Sequence, residues 1–171
     1  MKTYRIAISR TFPAKHPRAG EPTFFKQKIE MGLGNVTERL YIGEGVTALL
    51  NMPKFHTIRA NYPLWKRRID EVNAGEAVLV LYEWQGKPYR SKTLEILRFD
   101  KDSGIDVQKV VIGFQDDIVS VEIVENHKSN YYSVSKLAEN DGLSLEDFRA
   151  WFKGYDRSKP MAIIQFTNFK Y

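Results

Sequence analysis

At 171 residues the chain is long enough for one domain with a sizeable core, and the absence of cysteine excludes a disulfide framework and any thiolate metal site. Lysine and arginine exceed aspartate and glutamate by 26 to 21, a charge of +5 that permits a polyanionic partner without demanding one. No apolar run is long enough for a signal peptide or a membrane span, so the expectation is a cytoplasmic protein without membrane contact.

Tyr4 to Ser9 alternates as a first strand, with Tyr4, Ile6 and Ile8 on one face. Arg10 to Pro22 holds three prolines and a glycine and reads as a loop, made positive by Lys15, His16 and Arg18 and expected to be solvated. Glu21-Pro22-Thr23 signals a helix start. Phe25 and Ile29 share the face of that helix, and Gly32 is its expected stop. The stretch 33–53 reads as an insertion, with a short helix over Gly45 to Asn51.

Lys54-Phe55-His56-Thr57-Ile58-Arg59 is a donor-rich cluster set between segments that read as structural. Fully extended, it puts Lys54, His56 and Ile58 on one side and Phe55, Thr57 and Arg59 on the other. A turn or bulge instead lets Lys54 and Thr57 converge. His56 offers a second base, with an ordinary pKa near 6.5. Arg59 suits a phosphate or a carbonyl.

Beyond the cluster, Pro63 to Gly75 predicts a helix whose buried stripe is Trp65, Ile69 and Val72, leaving Lys66, Arg67 and Arg68 on the far face. Glu76 to Trp84 is apolar on both faces and predicts a central strand. After a turn at Gln85 to Pro88, Tyr89 to Phe99 returns as a strand with Leu94 and Ile96 packed. Ile105 to Phe114 and Ile118 to Val124 follow as two more strands joined through Gln115-Asp116-Asp117, the spacing of an antiparallel meander or small barrel. Ser133 to Glu139 is a short helix. Ser144 opens a capping box for a second one, whose stripe is Leu145, Phe148, Trp151 and Phe152. Pro160 to Phe169 is the last strand.

His16, His56 and His127 lack metal-ligand spacing, so no metal is expected, and no motif implies a cofactor.

The order of parts resembles the ASCH group of the PUA-like superfamily. The resemblance is carried by Phe24-Phe25, Ile29 and Gly32, by Lys54-x-x-Thr57-Ile58-Arg59, by the tryptophan-bearing segment closing at Gly75, and by Ile163-Ile164-Gln165-Phe166. It implies an α+β fold: a small, mostly antiparallel PUA-like β-barrel with helices over its openings and a cleft for RNA or a nucleoside. Some small members are amidohydrolases acting on acylated cytidine. Carried over by position, Lys54 is then the base, Thr57 the nucleophile and Asp141 the acid, with Glu139 as second choice. This chain departs from those members in the twenty or so residues between Gly32 and Lys54, and in having aspartate where they have glutamate.

Three functions follow as expectations. The first is nucleic-acid or nucleotide binding, in a cleft lined by Lys54, His56, Thr57 and Arg59 with Tyr62, Trp65 or Trp84 for stacking. The second is amide hydrolysis by Lys54, Thr57 and Asp141. The third is a non-enzymatic interaction protein.

Overall fold

A computed structural model describes residues 1–34, 52–115, 118–125, 128–156 and 158–171. The expected helix over 45–51 and the Asp116-Asp117 turn lie outside the described residues.

The fold is α+β, with eight strands and four helices in the described residues. A three-stranded sheet has β3 (Ala77–Trp84) at its centre, between β1 (Lys2–Ala7) and β4 (Thr93–Phe99). A five-stranded antiparallel sheet runs in the order β2 (His56–Ala60), β8 (Met161–Gln165), β5 (Asp106–Gln115), β6 (Ile118–Glu125), β7 (Lys128–Tyr132). Among the described residues no ladder joins the two sheets, so hydrogen bonds do not close the strands into a ring. Side chains join them instead. Phe99 of β4 stacks on Phe166, just after β8, with ring centroids 5.8 Å apart, and both lie in one continuous core.

Local chemistry explains most elements. Helix α1 spans Phe25–Gly32, and α2 spans Tyr62–Asn73. The Asn61 side chain caps α2 by accepting from the Leu64 amide, Pro63 occupies its first turn, and Trp65, Ile69 and Val72 are buried as their spacing predicts. Each such side chain contributes roughly 1.5–3 kcal/mol by leaving water. Helices α3 (Val134–Asn140) and α4 (Leu145–Phe152) are capped by Ser133 and Ser144, whose side chains accept from the Lys136 and Asp147 amides. Strand β3 is buried from Ala77 to Leu81, as its two apolar faces require of a central strand.

Four expectations need correction. Strand β1 pairs parallel to β3, so the sheets are not a simple meander. Tyr89 does not begin β4: it sits in the preceding turn at φ 62°, 89% exposed, and Leu94 is packed only in part, 37% exposed. Strand β7 is present where no strand was expected, because its Tyr131–Tyr132 pairing with β6 supplies what its polar residues do not. The loop over residues 10–22 is docked rather than solvated. His16 is buried and stacks on Phe12 at 4.5 Å, while Arg18 pairs with Asp147 of α4 and with Glu21, both at 2.7 Å. Asp147, in the acidic first turn of α4, holds Arg18 of the loop.

Gly32 belongs to α1 itself. A Cβ there would lie 2.7 Å from the Lys54 carbonyl oxygen, so glycine permits the close approach that seats Lys54.

Candidate functional site

Lys54 and Phe55 precede β2 and are held from three sides. The Lys54 amide donates to the Lys28 carbonyl of α1, and the Phe55 amide donates to the Asn140 carbonyl at the end of α3. The Phe55 carbonyl in turn accepts from the Phe166 amide. Lys54 thereby forms an isolated bridge with Asp141 instead of pairing in the sheet. Lys54 and His56 both approach Asp141, as the extended arrangement of the hexapeptide has them, and Thr57 lines the same cavity as Lys54.

Asp141 caps the C-terminus of α3, its amide donating to the Leu137 and Ala138 carbonyls. Its side chain points inward. Lys54 Nζ donates to Asp141 Oδ1 at 2.5 Å and to the Asp141 carbonyl at 2.8 Å, and it stands 4.2 Å from the centre of the Phe25 ring. Glu139 is turned outward and pairs with Lys136 on an exposed face, so the acid brought to Lys54 is Asp141.

Both partners are buried: the side chains of Lys54 and Asp141 are 2% and 5% exposed. Burial pushes the Lys54 amine below its usual range, against the opposing pull of Asp141. Burial likewise pushes the Asp141 carboxyl up, against the opposing effect of Lys54. Desolvation is the larger influence on each, and both shifts favour the uncharged pair.

Three further side chains of the hexapeptide complete the cluster. Thr57 is buried on β2 and shares the Lys54–Asp141 cavity of about 30 Å³. Arg59 lines it too. Its Nη2 donates to the Ala7 carbonyl at 2.6 Å, while its Nε has no hydrogen-bond partner among the described residues. His56 is fully buried, and burial together with Lys54 holds its pKa well below the usual value. Its Nε2 lies 3.8 Å from Asp141 Oδ1.

A larger groove of about 980 Å³ adjoins this cavity and shares Ile8, Ser9 and Phe25 with it. Its other walls include Phe12 of the docked loop, Phe24, and the pair Trp84 and Tyr89, whose rings are 5.3 Å apart. Phe24 and Tyr89 both have left-handed backbone, which aromatic residues seldom adopt. Of the three aromatic residues expected to stack on a ligand, only Trp84 lines the groove. Trp65 faces the core, because it lies on the buried stripe of α2, and Tyr62 lines a separate surface depression on that helix.

Two residues at the site went unnoticed in the sequence. Lys28 is 3% exposed, donates to the Gly142 carbonyl at 2.6 Å, and is lowered by burial and by Lys54 to a pKa of about 8. A lysine on the same helical face as Phe25 and Ile29 was a legible signal. Tyr171 reaches His56 across the fold, and nothing local marks it.

Among the described residues no group of three His, Asp or Glu side chains is placed to hold a metal ion, and no helix is long and apolar enough to cross a membrane. No family model, curated protein or solved structure matches the chain.

Proposed function

We propose that this chain is an ASCH-type, PUA-like domain that hydrolyses the amide of a small acylated nucleoside, with Thr57 as nucleophile, Lys54 as base and Asp141 as acid. The observation that carries the reading is the Lys54 Nζ to Asp141 Oδ1 contact of 2.5 Å in a buried cavity that Thr57 also lines. The single core spanning both sheets and the clustering of α1 and α4 residues at the cavity support the fold assignment.

The chemistry follows from where the shared proton sits. In the uncharged pair Lys54 holds a free amine and Asp141 a carboxylic acid, so a base and an acid stand ready together. Thr57 Oγ attacks the amide carbonyl and its proton passes to Lys54. The tetrahedral intermediate collapses, the C–N bond breaks, and Asp141 gives its proton to the leaving nitrogen. The pair is now an ammonium and a carboxylate beside an acyl-threonine. Water attacks the ester, Asp141 takes the water's proton, and Lys54 returns its own to Thr57 Oγ. The products are a carboxylic acid and an amine, and the pair is uncharged again. Arg59 supplies positive charge near the carbonyl oxygen as it becomes anionic. The 30 Å³ cavity has room for a small acyl group, and the adjoining groove for the nucleoside.

Binding of RNA through an open basic cleft draws less support from this geometry. Lys54, His56 and Thr57 are at most 4% exposed, too deep to meet a phosphate backbone.

The test is release of cytidine and acetate when the full chain is incubated with N4-acetylcytidine. Release that disappears in Lys54→Ala and Thr57→Val supports the reading. An inert wild-type protein, or release indifferent to both substitutions, overturns it.

A further inference from the structure

His56 is a buried donor that the three-residue mechanism leaves unused. Its Nδ1 lies 3.2 Å from the Tyr171 hydroxyl, and the two rings meet edge to face at 5.6 Å. That hydroxyl also accepts from Asn140 Nδ2 at 3.0 Å. With one side of its oxygen taken by the Asn140 amide, the hydroxyl has its proton to donate. His56 Nδ1 is the acceptor that the described residues present to it. An imidazole that accepts at Nδ1 and is neutral carries its proton on Nε2. Nε2 in turn has no hydrogen-bond partner among the described residues, and Asp141 Oδ1 stands 3.8 Å away.

Tyr171 is itself held firmly. Its amide donates to Gln108 Oε1 at 2.9 Å, and its carbonyl accepts from Gln108 Nε2 at 3.2 Å. Gln165, fully buried on β8, donates to the same Gln108 oxygen at 3.0 Å. Tyr132 of β7 packs edge-on against the Tyr171 ring at 4.7 Å. Two central strands and β7 therefore build a seat for one hydroxyl group.

We infer that Tyr171 is a positioning residue that acts through His56: its hydroxyl locks the imidazole as the Nε2–H tautomer, and that N–H is the donor awaiting the Asp141 carboxylate. The inference rests on the hydrolase reading above and extends it. In the resting pair Asp141 Oδ1 is engaged by Lys54. Once Asp141 has given its proton to the leaving amine, its carboxylate needs a second donor, and a shift of less than 1 Å brings Nε2–H into hydrogen-bond range. The other charged groups facing Asp141 are Lys54 before β2, Arg59 on β2 and Lys28 on α1. Lys54 also faces His56, whose burial keeps the ring neutral, so it donates without titrating.

The experiment is ¹⁵N NMR of the histidine rings in the full chain, with the His56 signal identified by its loss in His56→Gln. In the wild type, Nε2 carries the proton, Nδ1 does not, and the ring does not titrate around the usual histidine value of about 6.5. A wild-type Nδ1–H tautomer overturns the inference without recourse to any variant. In Tyr171→Phe the ring keeps its packing, the tautomers redistribute, and kcat for N4-acetylcytidine falls about tenfold with KM within about twofold. The alkaline limb of the kcat profile moves upward, because a carboxylate without its donor is harder to form. An unchanged tautomer in Tyr171→Phe, or an unmoved alkaline limb, overturns the inference. If the wild-type protein is inert toward the probe, the hydrolase reading fails, while the tautomer spectra still decide the lock between Tyr171 and His56.

Discussion

Two short segments of this chain are rich in basic residues, and they behave in opposite ways. Lys54, His56 and Arg59 lie just before and along β2 with their polar atoms directed inward. Lys66 and Arg67 lie exposed on α2, where Lys66 pairs with Asp70 at 2.6 Å across one turn and Arg67 stands 4.0 Å from Glu71, while the neighbouring Arg68 is half-buried over the Tyr4 and Trp65 rings. On α2 the partners sit one turn along the same helix, the Lys66–Asp70 pair is open to water, and the hydrogen bond to Asp70 holds the Lys66 ammonium above its usual range. At β2 the partner comes from a distant helix end, water is excluded, and the Lys54 amine is pushed the other way. Charge count does not distinguish the two segments. Desolvation does, and it makes the Lys54–Asp141 pair a candidate for proton transfer and leaves the Lys66–Asp70 pair a solvated one.

Substitution of the two lysines is the strongest way to break this comparison. Lys54→Ala is expected to lower hydrolysis of N4-acetylcytidine by about 10²–10⁴-fold, the usual effect of losing a general base. Lys66→Ala should leave the rate unchanged, and equal losses in steady-state assays of the two variants would end the distinction.

The next effect is on packing. In Gly32→Ala the new Cβ must displace the Lys54 backbone, since it would sit 2.7 Å from that carbonyl oxygen. A loss of about 1–3 kcal/mol in urea unfolding is expected, with a fall in activity as Lys54 moves. Stability and activity both equal to wild type would mean that α1 does not hold Lys54 in place.

Lys28 sharpens the comparison through pH. Its folded pKa of about 8 lies below the 10.5 of a free lysine, so between those values the unfolded chain binds more protons than the folded one. Stability therefore rises with pH across about 8 to 10.5, by up to about 1.4 kcal/mol per pH unit, and the contribution is absent below that window. Lys28→Met removes this part of the slope. Urea unfolding of both proteins at several pH values across the window measures it, and parallel curves would count against a lowered Lys28.

The smallest effect belongs to the surface. Breaking the Lys66–Asp70 pair with Asp70→Asn should change stability by no more than about 0.5 kcal/mol, and less in high salt. Thermal melts at low and high salt check it.

Local rules made much of the fold legible. The stripe of Trp65, Ile69 and Val72, the Ser144 cap and the apolar run of β3 depend on residues a few positions apart, and the structure has them where the pattern puts them. The same rules missed what pairing supplies. The polar β7 is a strand because β6 is beside it, and β1 runs parallel to β3 because the chain crosses over between them. At the site, the hexapeptide was visible as a cluster of donors, and Lys28 could have been seen as a charge on an apolar face. Trp65 was legible as a core residue from its stripe, whereas the placing of Trp84 at the groove was not, since β3 is apolar on both faces.

The sequence by itself determined which residue types were available for chemistry and which short segments would coil or extend, because those properties are set within a turn or two of chain. Only the tertiary structure decided that Asp141 rather than Glu139 meets Lys54, across 87 positions, and that Tyr171 reaches His56 across 115. Whether a charge keeps its water depends on every element packed around it, and no local pattern carries that information.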